Sequence, residues 1–201
     1  MELNALTAIS PVDGRYRRVT KGLAGYYSEY ALIKYRVLVE IEYFIALCET
    51  RIPALEEFDK KKYPEVWSIV TSFNETDAKL IKDTEKITNH DVKAVEYYIK
   101  QLFEKIGLEK YTEFIHFGLT SQDINNTAIP LLLRDSIENE ILPKLSEVLT
   151  VLKSLGTLWK EVPMLARTHG QPASPTRLGK EIMVFVERLE VQLRQLSQIP
   201  Y

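Results

Sequence analysis

Residues 137–159 read IENEILPKLSEVLTVLKSLGTLW. Seven apolar residues of this stretch follow one another at spacings of three or four: Ile137, Ile141, Leu145, Val148, Leu152, Leu155 and Trp159. That spacing puts them on one face of an α-helix. The pattern predicts a long helix of a helical bundle, in which Pro130 and Pro143 either start helical segments or kink the helix.

Further helical stripes lie on both sides of this stretch, at residues 28–50, 92–106 and 178–196. The first predicts an amphipathic helix with one buried face, with Arg36 and Glu40 on other faces. Asn74 and Asp77 predict a capped helix start, and Gly107 is placed as a helix C-cap. Residues 161–175 are polar and proline-rich and are expected to form a loop. Since no alternating run bounded by hairpin dipeptides occurs, we predict an all-α fold.

The helices before Gly107 are of ordinary length, whereas those after Gly118 are too long for a compact single-layer domain. We therefore predict an N-terminal helical domain at residues 1–111. Residues 112–201 are expected to form a second part of the chain, made of long helices. These helices must bury their apolar faces against one another or against other subunits.

Charge and cysteine content limit the class of protein. The 201 residues contain 26 basic and 28 acidic side chains, a formal charge of -2. This balance gives no broad attraction to nucleic acid or to an anionic membrane, so neither is expected as a partner. Cys48 is the only cysteine, which excludes an intrachain disulfide and a cysteine-based zinc site and favours a reducing, cytoplasmic location. We expect no signal peptide and no transmembrane helix.

The three histidines, His90, His116 and His169, lie at element boundaries in TNHDV, FIHFGLTSQD and RTHGQPASP. An imidazole can give or take a proton near neutral pH, so each is a candidate for acid–base chemistry. The alternative for each is a cap or a filler at a helix junction. Gaps of 26 and 53 residues between them match no metal-ligand spacing, so no metal is expected.

Polar loops supply further candidates. Arg15 and Tyr16 stand beside a glycine in SPVDGRYRR, where a guanidinium can hold a phosphate or a carboxylate, unless this is only a solvated turn. Thr120 and Ser121 begin a predicted helix and can hold an anion or serve only as its N-cap. Asp91 can contribute to a site or only complement a helix dipole.

The segment THGQPASP is the most unusual loop, because two prolines restrict its backbone around Thr168, His169 and Gln171. A rigid backbone suits the placement of an acid or a base, although a stiff connector between helices would also explain it. The residues by themselves therefore indicate a helical protein with a histidine-bearing, anion-binding site. They do not name a reaction.

At these same loops the sequence resembles the adenylosuccinate lyases, a family of the fumarase/aspartase superfamily, and specifically their bacterial branch. The resemblance rests on SPVDGRY at 10–16, TNHDVKAVEYY at 88–98, EFIHFGLTSQDINNTA at 113–128 and RTHGQPASPTRLGKE at 167–181. These motifs occur in the family's order, and the match extends from Leu3 to about residue 197.

The resemblance implies elimination of fumarate from adenylosuccinate, giving AMP, and from the succinylcarboxamide imidazole ribotide (SAICAR), giving AICAR, in purine biosynthesis without a cofactor. It implies that His169 is the general acid and that His90 orients the substrate and tunes His169. Other implied substrate contacts are Asn89, Asp91, Thr168 and Gln171, with Arg15 and Tyr16 at the phosphate and Thr120 and Ser121 at the succinyl carboxylate. His116 is implied to have a supporting role.

One departure from the family pattern is large. The family's general base is a serine on a glycine- and serine-rich loop with a Met-Pro-Xaa-Lys-Xaa-Asn stretch, and the 201 residues contain no such stretch. The chain therefore resembles the N-terminal portion of such an enzyme, with residues 112–201 as the first, truncated part of its central long-helix bundle domain, and we expect it to be inactive alone. The family implies a homotetramer whose active sites take residues from three chains. The alternatives are another fumarate-releasing lyase of the superfamily and a non-catalytic helical interaction module.

Overall fold

The computed structural model describes residues 1–200, which are mostly helical. The α-helices are α1 (Arg17–Thr20), α2 (Ala24–Tyr27), α3 (Glu29–Cys48), α4 (Tyr63–Thr71), α5 (Glu75–Thr88), α6 (Asp91–Lys105), α7 (Ser121–Ser136), α8 (Leu142–Leu158) and α9 (Leu178–Leu196). Short 3₁₀ segments occur at Pro11–Asp13, Lys21–Leu23, Pro53–Leu55, Lys60–Lys62 and Glu109–Phe114. The predicted all-α class is confirmed, with one small hairpin of β1 (Pro163–Thr168) and β2 (Gln171–Arg177) added. Across the described part of the chain, no helix combines the length and apolarity needed to span a bilayer.

The predicted helix ends agree with the observed capping. Helix α5 begins after Asn74, whose side chain accepts a hydrogen bond from the Thr76 backbone N–H, while the Asp77 carboxylate accepts one from the Asn74 N–H. Helix α6 ends at Lys105 and is followed by Gly107, which has a φ of 71°, and the N–H of Leu108 donates to the carbonyl of Phe103. These bonds satisfy backbone groups that a helix end leaves without an intrahelical partner.

The prediction of a single buried face on α3 is wrong. Apolar residues on one side of α3, including Ile33, Val37, Ile41 and Phe44, belong to the main core with residues of α4, α5 and α6. A second set on α3, formed by Ala31, Tyr35 and Val39, packs in another core with Ile124, Ala128 and Leu132 of α7. Helix α3 is therefore central, and Arg36 and Glu40, which were expected away from the core, are buried with 5% and 1% of their surface exposed.

Contacts divide the chain into two compact units, one from Met1 to Ser136 and one from Ile137 onward. Tyr111 and Ile115 belong to the main core of the first unit. The domain boundary near residue 111 refers to the domains of a longer protein and stays a prediction.

The predicted long helix is interrupted between its two prolines. Pro130 lies inside α7, whereas Pro143 is the second residue of α8. The residues in between, Ile137–Ile141, form a π-helical segment. Of the two possibilities left open for each proline, Pro143 starts a segment.

The second unit contains the β-hairpin, so the prediction of a loop at residues 161–175 is wrong. The strands pair antiparallel from Pro163 opposite Arg177 to Thr168 opposite Gln171, with a register irregularity between Leu165 and Arg167. His169 and Gly170 form the two-residue turn, with φ values of 50° and 78°. Positive φ at both positions is the pattern of a type I′ turn, whose twist suits a tight hairpin.

Helices α8 and α9 of the second unit cross at two glycines. A Cβ atom on Gly179 would lie 2.2 Å from the Gly156 carbonyl oxygen and 2.7 Å from Lys160 Cα. A Cβ on Gly156 would instead meet the sulfur of Met183 at 2.8 Å. The close crossing fixes the start of α9 beside the end of α8, where the N–H of Gly179 donates to the Trp159 carbonyl.

We predict that Gly179→Ala destabilises the second unit, because the added methyl group meets backbone atoms that cannot rotate away. The expected loss is about 1–3 kcal/mol in the free energy of unfolding, typical of overpacking. Hydrogen exchange of the α8 and α9 amides, with chemical denaturation, measures it.

Two glycine variants are matched controls. Gly156→Ala should cost less, because the flexible end of Met183 can move, and Gly25→Ala, which adds a methyl group in open space, should be nearly neutral. A Gly179→Ala protein as stable as Gly25→Ala would contradict the packing argument.

Candidate active site

The segment Thr88–Asp91 joins α5 to α6 and carries His90. Asn89 ends α5 with a φ of 51°, and His90 is the N-cap of α6. The His90 Nδ1 atom accepts a hydrogen bond from the Lys93 backbone N–H at 3.0 Å, and its Nε2 atom lies 3.3 Å from the Ser121 hydroxyl oxygen. Because an accepting Nδ1 carries no proton, the neutral ring is protonated at Nε2 and donates to Ser121.

This contact brings two predicted site segments together, TNHDV and GLTSQD. His90 is therefore a helix cap and also faces a neighbouring site residue. Asn89, His90 and Asp91 line a groove of about 560 Å³. Two larger grooves of the same unit, about 880 and 760 Å³, contain none of the predicted site residues.

Asp91 is held by a buried arginine that the sequence reasoning did not identify as functional. Its Oδ2 atom lies 2.6 Å from the Arg36 Nη2 atom, and Arg36 Nε donates to the Asn125 side-chain oxygen at 2.9 Å. Burial acts to raise the pKa of Asp91, but the Val92 N–H and the Arg36 guanidinium outweigh it, so the pKa lies below the ordinary value. Arg36 thereby ties the start of α6 to α3 and α7.

At the start of α7, the Thr120 groups that could bind an anion already have a partner in the chain. Both the backbone N–H and the hydroxyl of Thr120 donate to the Asp123 carboxylate, at 2.7 and 2.9 Å. These hydrogen bonds hold the pKa of Asp123 below its ordinary value. The Thr120 hydroxyl is thus already engaged within its helix start, and a ligand carboxylate there would have to displace Asp123. Ser121 is half-buried and faces His90.

His116 lies at the turn before α7 with a φ of 60°. Its Nδ1 atom is 2.6 Å from Glu40 Oε1, and its backbone N–H donates to Glu40 Oε2 at 3.1 Å. Glu40 belongs to α3 and is a second residue that the sequence reasoning missed. The missed signal is the apolar set Ala31, Tyr35 and Val39, spaced by four, which marks α3 as buried on a second side.

Arg15 and Tyr16 lie on an exposed turn that is held at its start by hydrogen bonds to Asp13. Asp13 is 6% exposed and accepts hydrogen bonds from the backbone N–H groups of Ile9 and Ser10 and from Arg17. The Arg15 guanidinium carbon lies 5.5 Å from the centre of the Tyr16 ring. Arg15 forms no ion pair with any residue from 1 to 200, so the guanidinium can bind an anion from solution.

His169 lies at the exposed tip of the hairpin in the second unit, between the paired residues Thr168 and Gln171. The turn fixes the backbone that carries the imidazole, as expected of a rigid segment. The hydrogen bonds from Leu178 N–H to the Val162 carbonyl and from Gly179 N–H to the Trp159 carbonyl hold the base of the hairpin. The rigidity therefore comes from a hairpin and not from prolines in a loop.

Backbone strain is concentrated in the three histidine motifs. Among residues 1–200, the non-glycine residues with positive φ are Asn89, His116 and His169. One lies in each motif, beside or at the histidine. Such conformations cost roughly 1–3 kcal/mol each and gather at functional sites. Within the same described range, no group of three or more His, Cys, Asp or Glu side chains could hold a metal ion.

Comparison with known proteins gives a clear family match for a chain with these long helices and with a histidine at the tip of its hairpin. The chain belongs to the lyase family, which matches residues 14–200. It is 54% identical to the adenylosuccinate lyase of Dictyostelium discoideum over 203 residues, which cover 98% of this chain and 44% of that protein. Identity to the adenylosuccinate lyase of Escherichia coli (strain K12) is 44%, with 99% of this chain and 44% of that protein covered. The resemblance read from the motifs is confirmed.

The chain spans 44% of the length of these curated relatives. Solved structures give a similar fold. The fumarate lyase from Mesorhizobium sp. BNC1 superposes with a TM-score of 0.71 at 20% identity, over 88% of this chain and 39% of that chain. The 3-carboxy-cis,cis-muconate lactonizing enzyme from Pseudomonas putida gives 0.68 at 17% identity, over 88% and 39%. At such identities the likeness concerns the fold alone.

We predict that Asp13→Asn lowers the free energy of unfolding at neutral pH. Hydrogen bonds from Ile9 and Ser10 N–H, joined by Arg17, hold the pKa of Asp13 below its ordinary value despite its burial. A carboxyl with a depressed folded pKa contributes stability above its unfolded pKa of about 3.9 and loses it as the pH falls through the folded pKa. The difference between wild type and variant should therefore be full at neutral pH and shrink below about pH 4.

Urea denaturation at a series of pH values measures this difference. Glu56→Gln, on an exposed side chain, is the control and should change stability little at any pH. A wild-type advantage that persists undiminished in acid would contradict the assignment to the Asp13 carboxylate.

Proposed function

We propose that the protein carrying this chain is an adenylosuccinate lyase. It eliminates fumarate from adenylosuccinate, giving AMP, and from the succinylcarboxamide ribotide, giving the carboxamide ribotide. The observation that carries the proposal is the coincidence of the family's motifs with the strained turns at Asn89, His116 and His169, in a chain 54% identical to a curated adenylosuccinate lyase.

The chemistry requires a base for a carbon-bound proton, donors for the developing carboxylate charge and an acid for the leaving nitrogen. In the proposal His169 is the acid, since its backbone is fixed while its ring is open to a substrate. Thr168 and Gln171 flank it on the hairpin. His90 orients the substrate from the α6 N-cap, with Asn89 and Asp91 beside it.

In this proposal Arg15 and Tyr16 bind the nucleotide phosphate, and the hydrogen bonds of Asp13 hold the turn that carries them. The succinyl carboxylate meets Ser121 and Thr120 at the start of α7, and Asp123 releases Thr120 when it binds. The base is a serine from a part of the protein outside this chain. The isolated chain is consequently inactive, and no cofactor or metal takes part.

The assembly is a cytoplasmic homotetramer whose active sites combine residues of several subunits. Support comes from the second unit, where large apolar residues are exposed on α8 and α9, among them Val148, Val151, Leu158, Met183 and Phe185. Exposed apolar surface of this kind favours association with other helices. The predicted division at residue 111 belongs to the same proposal, as the start of the shared long-helix domain.

The substrate assignment is tested on the complete protein. Fumarate release is expected from adenylosuccinate and the succinylcarboxamide ribotide, and not from argininosuccinate, aspartate or malate. Release from another succinyl substrate alone would indicate a different lyase of the superfamily. A folded complete protein that is inactive on the whole panel would instead indicate a helical interaction module.

We predict that His169→Asn in the complete protein lowers kcat by about 100- to 10,000-fold, the usual contribution of a general acid. Asparagine tolerates positive φ, and Asn-Gly is a favoured type I′ turn, so the hairpin should be retained. His169→Gln removes the same imidazole. Fumarate absorbance measures the rate, and circular dichroism checks the fold.

Met164→Leu on β1 of the same hairpin is the matched control and should keep wild-type activity. Met164 is exposed and is assigned no role in the reaction. A His169→Asn enzyme with unimpaired kcat would exclude His169 as the acid.

A further inference from the structure

Glu40 is a carboxylate enclosed in the centre of the first unit. Its side chain is 0% exposed, and within residues 1–200 it accepts two hydrogen bonds from His116, from Nδ1 at 2.6 Å and from the backbone N–H at 3.1 Å. Burial of an ionised group is costly unless it is paired and hydrogen-bonded. His116 meets this requirement with two donors from one residue.

The other charged groups near this pair do not hydrogen-bond to the Glu40 carboxylate in place of His116. Glu96 of α6 acts on Glu40 as a like charge and is itself paired with Lys93 and Lys100. Asp123 of α7 interacts electrostatically with His116, but its carboxylate accepts hydrogen bonds from Thr120. The short Nδ1 contact is thus specific to Glu40.

His116 is fixed at both its backbone and its ring. The φ of 60° is unfavourable for a non-glycine residue, and the bond from its N–H to Glu40 helps to hold it. The ring is 16% exposed, and Nε2 has no hydrogen-bond partner among the described residues. With Nδ1 directed at Glu40, Nε2 is the atom left to meet a ligand near the start of α7.

We infer that Glu40 is a positioning residue, which holds His116 in the tautomer protonated at Nδ1 so that Nε2 is a hydrogen-bond acceptor. An ionised carboxylate has no hydrogen to donate, so Nδ1 must be the donor. The role of His116 in catalysis rests on the proposed function, whereas the tautomer does not. Glu40 acts through His116 and is assigned no contact with substrate.

The substitution Glu40→Gln should invert the tautomer without changing the size of the side chain. The His116 backbone N–H requires an acceptor, so the amide oxygen of Gln must take the place of Oε2. The amide NH₂ group then faces Nδ1, which can only accept. The neutral ring is forced to carry its proton at Nε2, and the outward acceptor becomes a donor.

The measurement is a ¹⁵N–¹H correlation spectrum of the histidine rings in the ¹⁵N-histidine-labelled chain. Burial raises the pKa of Glu40 above its ordinary value, against the His116 hydrogen bonds that lower it. The spectrum is therefore recorded at a series of pH values above the ordinary pKa of a carboxyl, and the tautomer is read where the spectrum itself shows the His116 ring to be neutral. Because only three histidines occur, His90→Asn and His169→Asn identify the His116 signals by elimination.

Wild-type His116 is expected as the Nδ1–H tautomer, and Glu40→Gln as the Nε2–H tautomer. Glu96→Gln, a second buried glutamate that does not touch His116, is the matched control and should leave the wild-type tautomer. An Nε2–H tautomer in the wild-type chain would overturn the inference without any variant, as would an unchanged tautomer in a folded Glu40→Gln chain.

The positioning role is then measured in the complete protein. Glu40→Gln should lower kcat/KM about 10- to 100-fold, the size of effect known for carboxylates that orient metal-binding histidines, with Glu96→Gln close to wild type. An inverted tautomer with unchanged kcat/KM would overturn the positioning role. If the wild-type protein lacks lyase activity, the proposed function fails, and the tautomer result still decides the structural part of the inference.

Discussion

Burial of α3 on two sides is the constraint on which the first unit depends. A helix in this position can carry charge only if partners reach it, and Arg36 and Glu40 are both almost fully buried. Arg36 forms hydrogen bonds with Asp91 and Asn125, and Glu40 forms one with the His116 ring. Being four residues apart, these two side chains lie on the same face of α3. The requirement to satisfy two buried charges therefore fixes two of the three histidine motifs.

This arrangement is costly as a means of stability. Replacing a buried ion pair by apolar residues is often neutral or stabilising, whereas removing one partner is strongly destabilising. The interior charges of α3 are better understood as devices that fix geometry. They determine the direction of the His116 ring and the start of α6, where His90 is the cap.

Helix periodicity predicted much of the fold. The stripes of α3, α5, α6, α8 and α9 and the caps at Asn74 and Gly107 are local signals, and local signals can be read from the sequence. Which helix is central depends on how the others pack around it, so the second buried side of α3 was missed. Its apolar residues Ala31, Tyr35 and Val39 carried the signal, but Arg36 and Glu40, which lie between the two apolar sets around the helix, suggested a solvent-exposed face.

The hairpin was missed for a different physical reason. Its turn is His-Gly, in which a histidine takes the positive φ usually given to Asn or Gly, and its strands contain Pro163, Pro172 and Pro175. A two-stranded sheet has two free edges, so a proline can face away from the pairing partner. The site residues were predicted from motifs, whereas Arg36 and Glu40 lie outside those motifs, and only the folded chain brings them there.

The two units differ in how they hold their histidines. In the first unit His90 and His116 have partners that select a tautomer, whereas in the second unit the turn orients the His169 backbone and no residue of the described chain hydrogen-bonds to the ring. A general acid also needs surroundings that match its pKa to the reaction and that exclude water. The hairpin tip is exposed, so the role of acid proposed for His169 requires that another part of the complete protein enclose the imidazole. That requirement agrees with the proposed sharing of active sites between subunits.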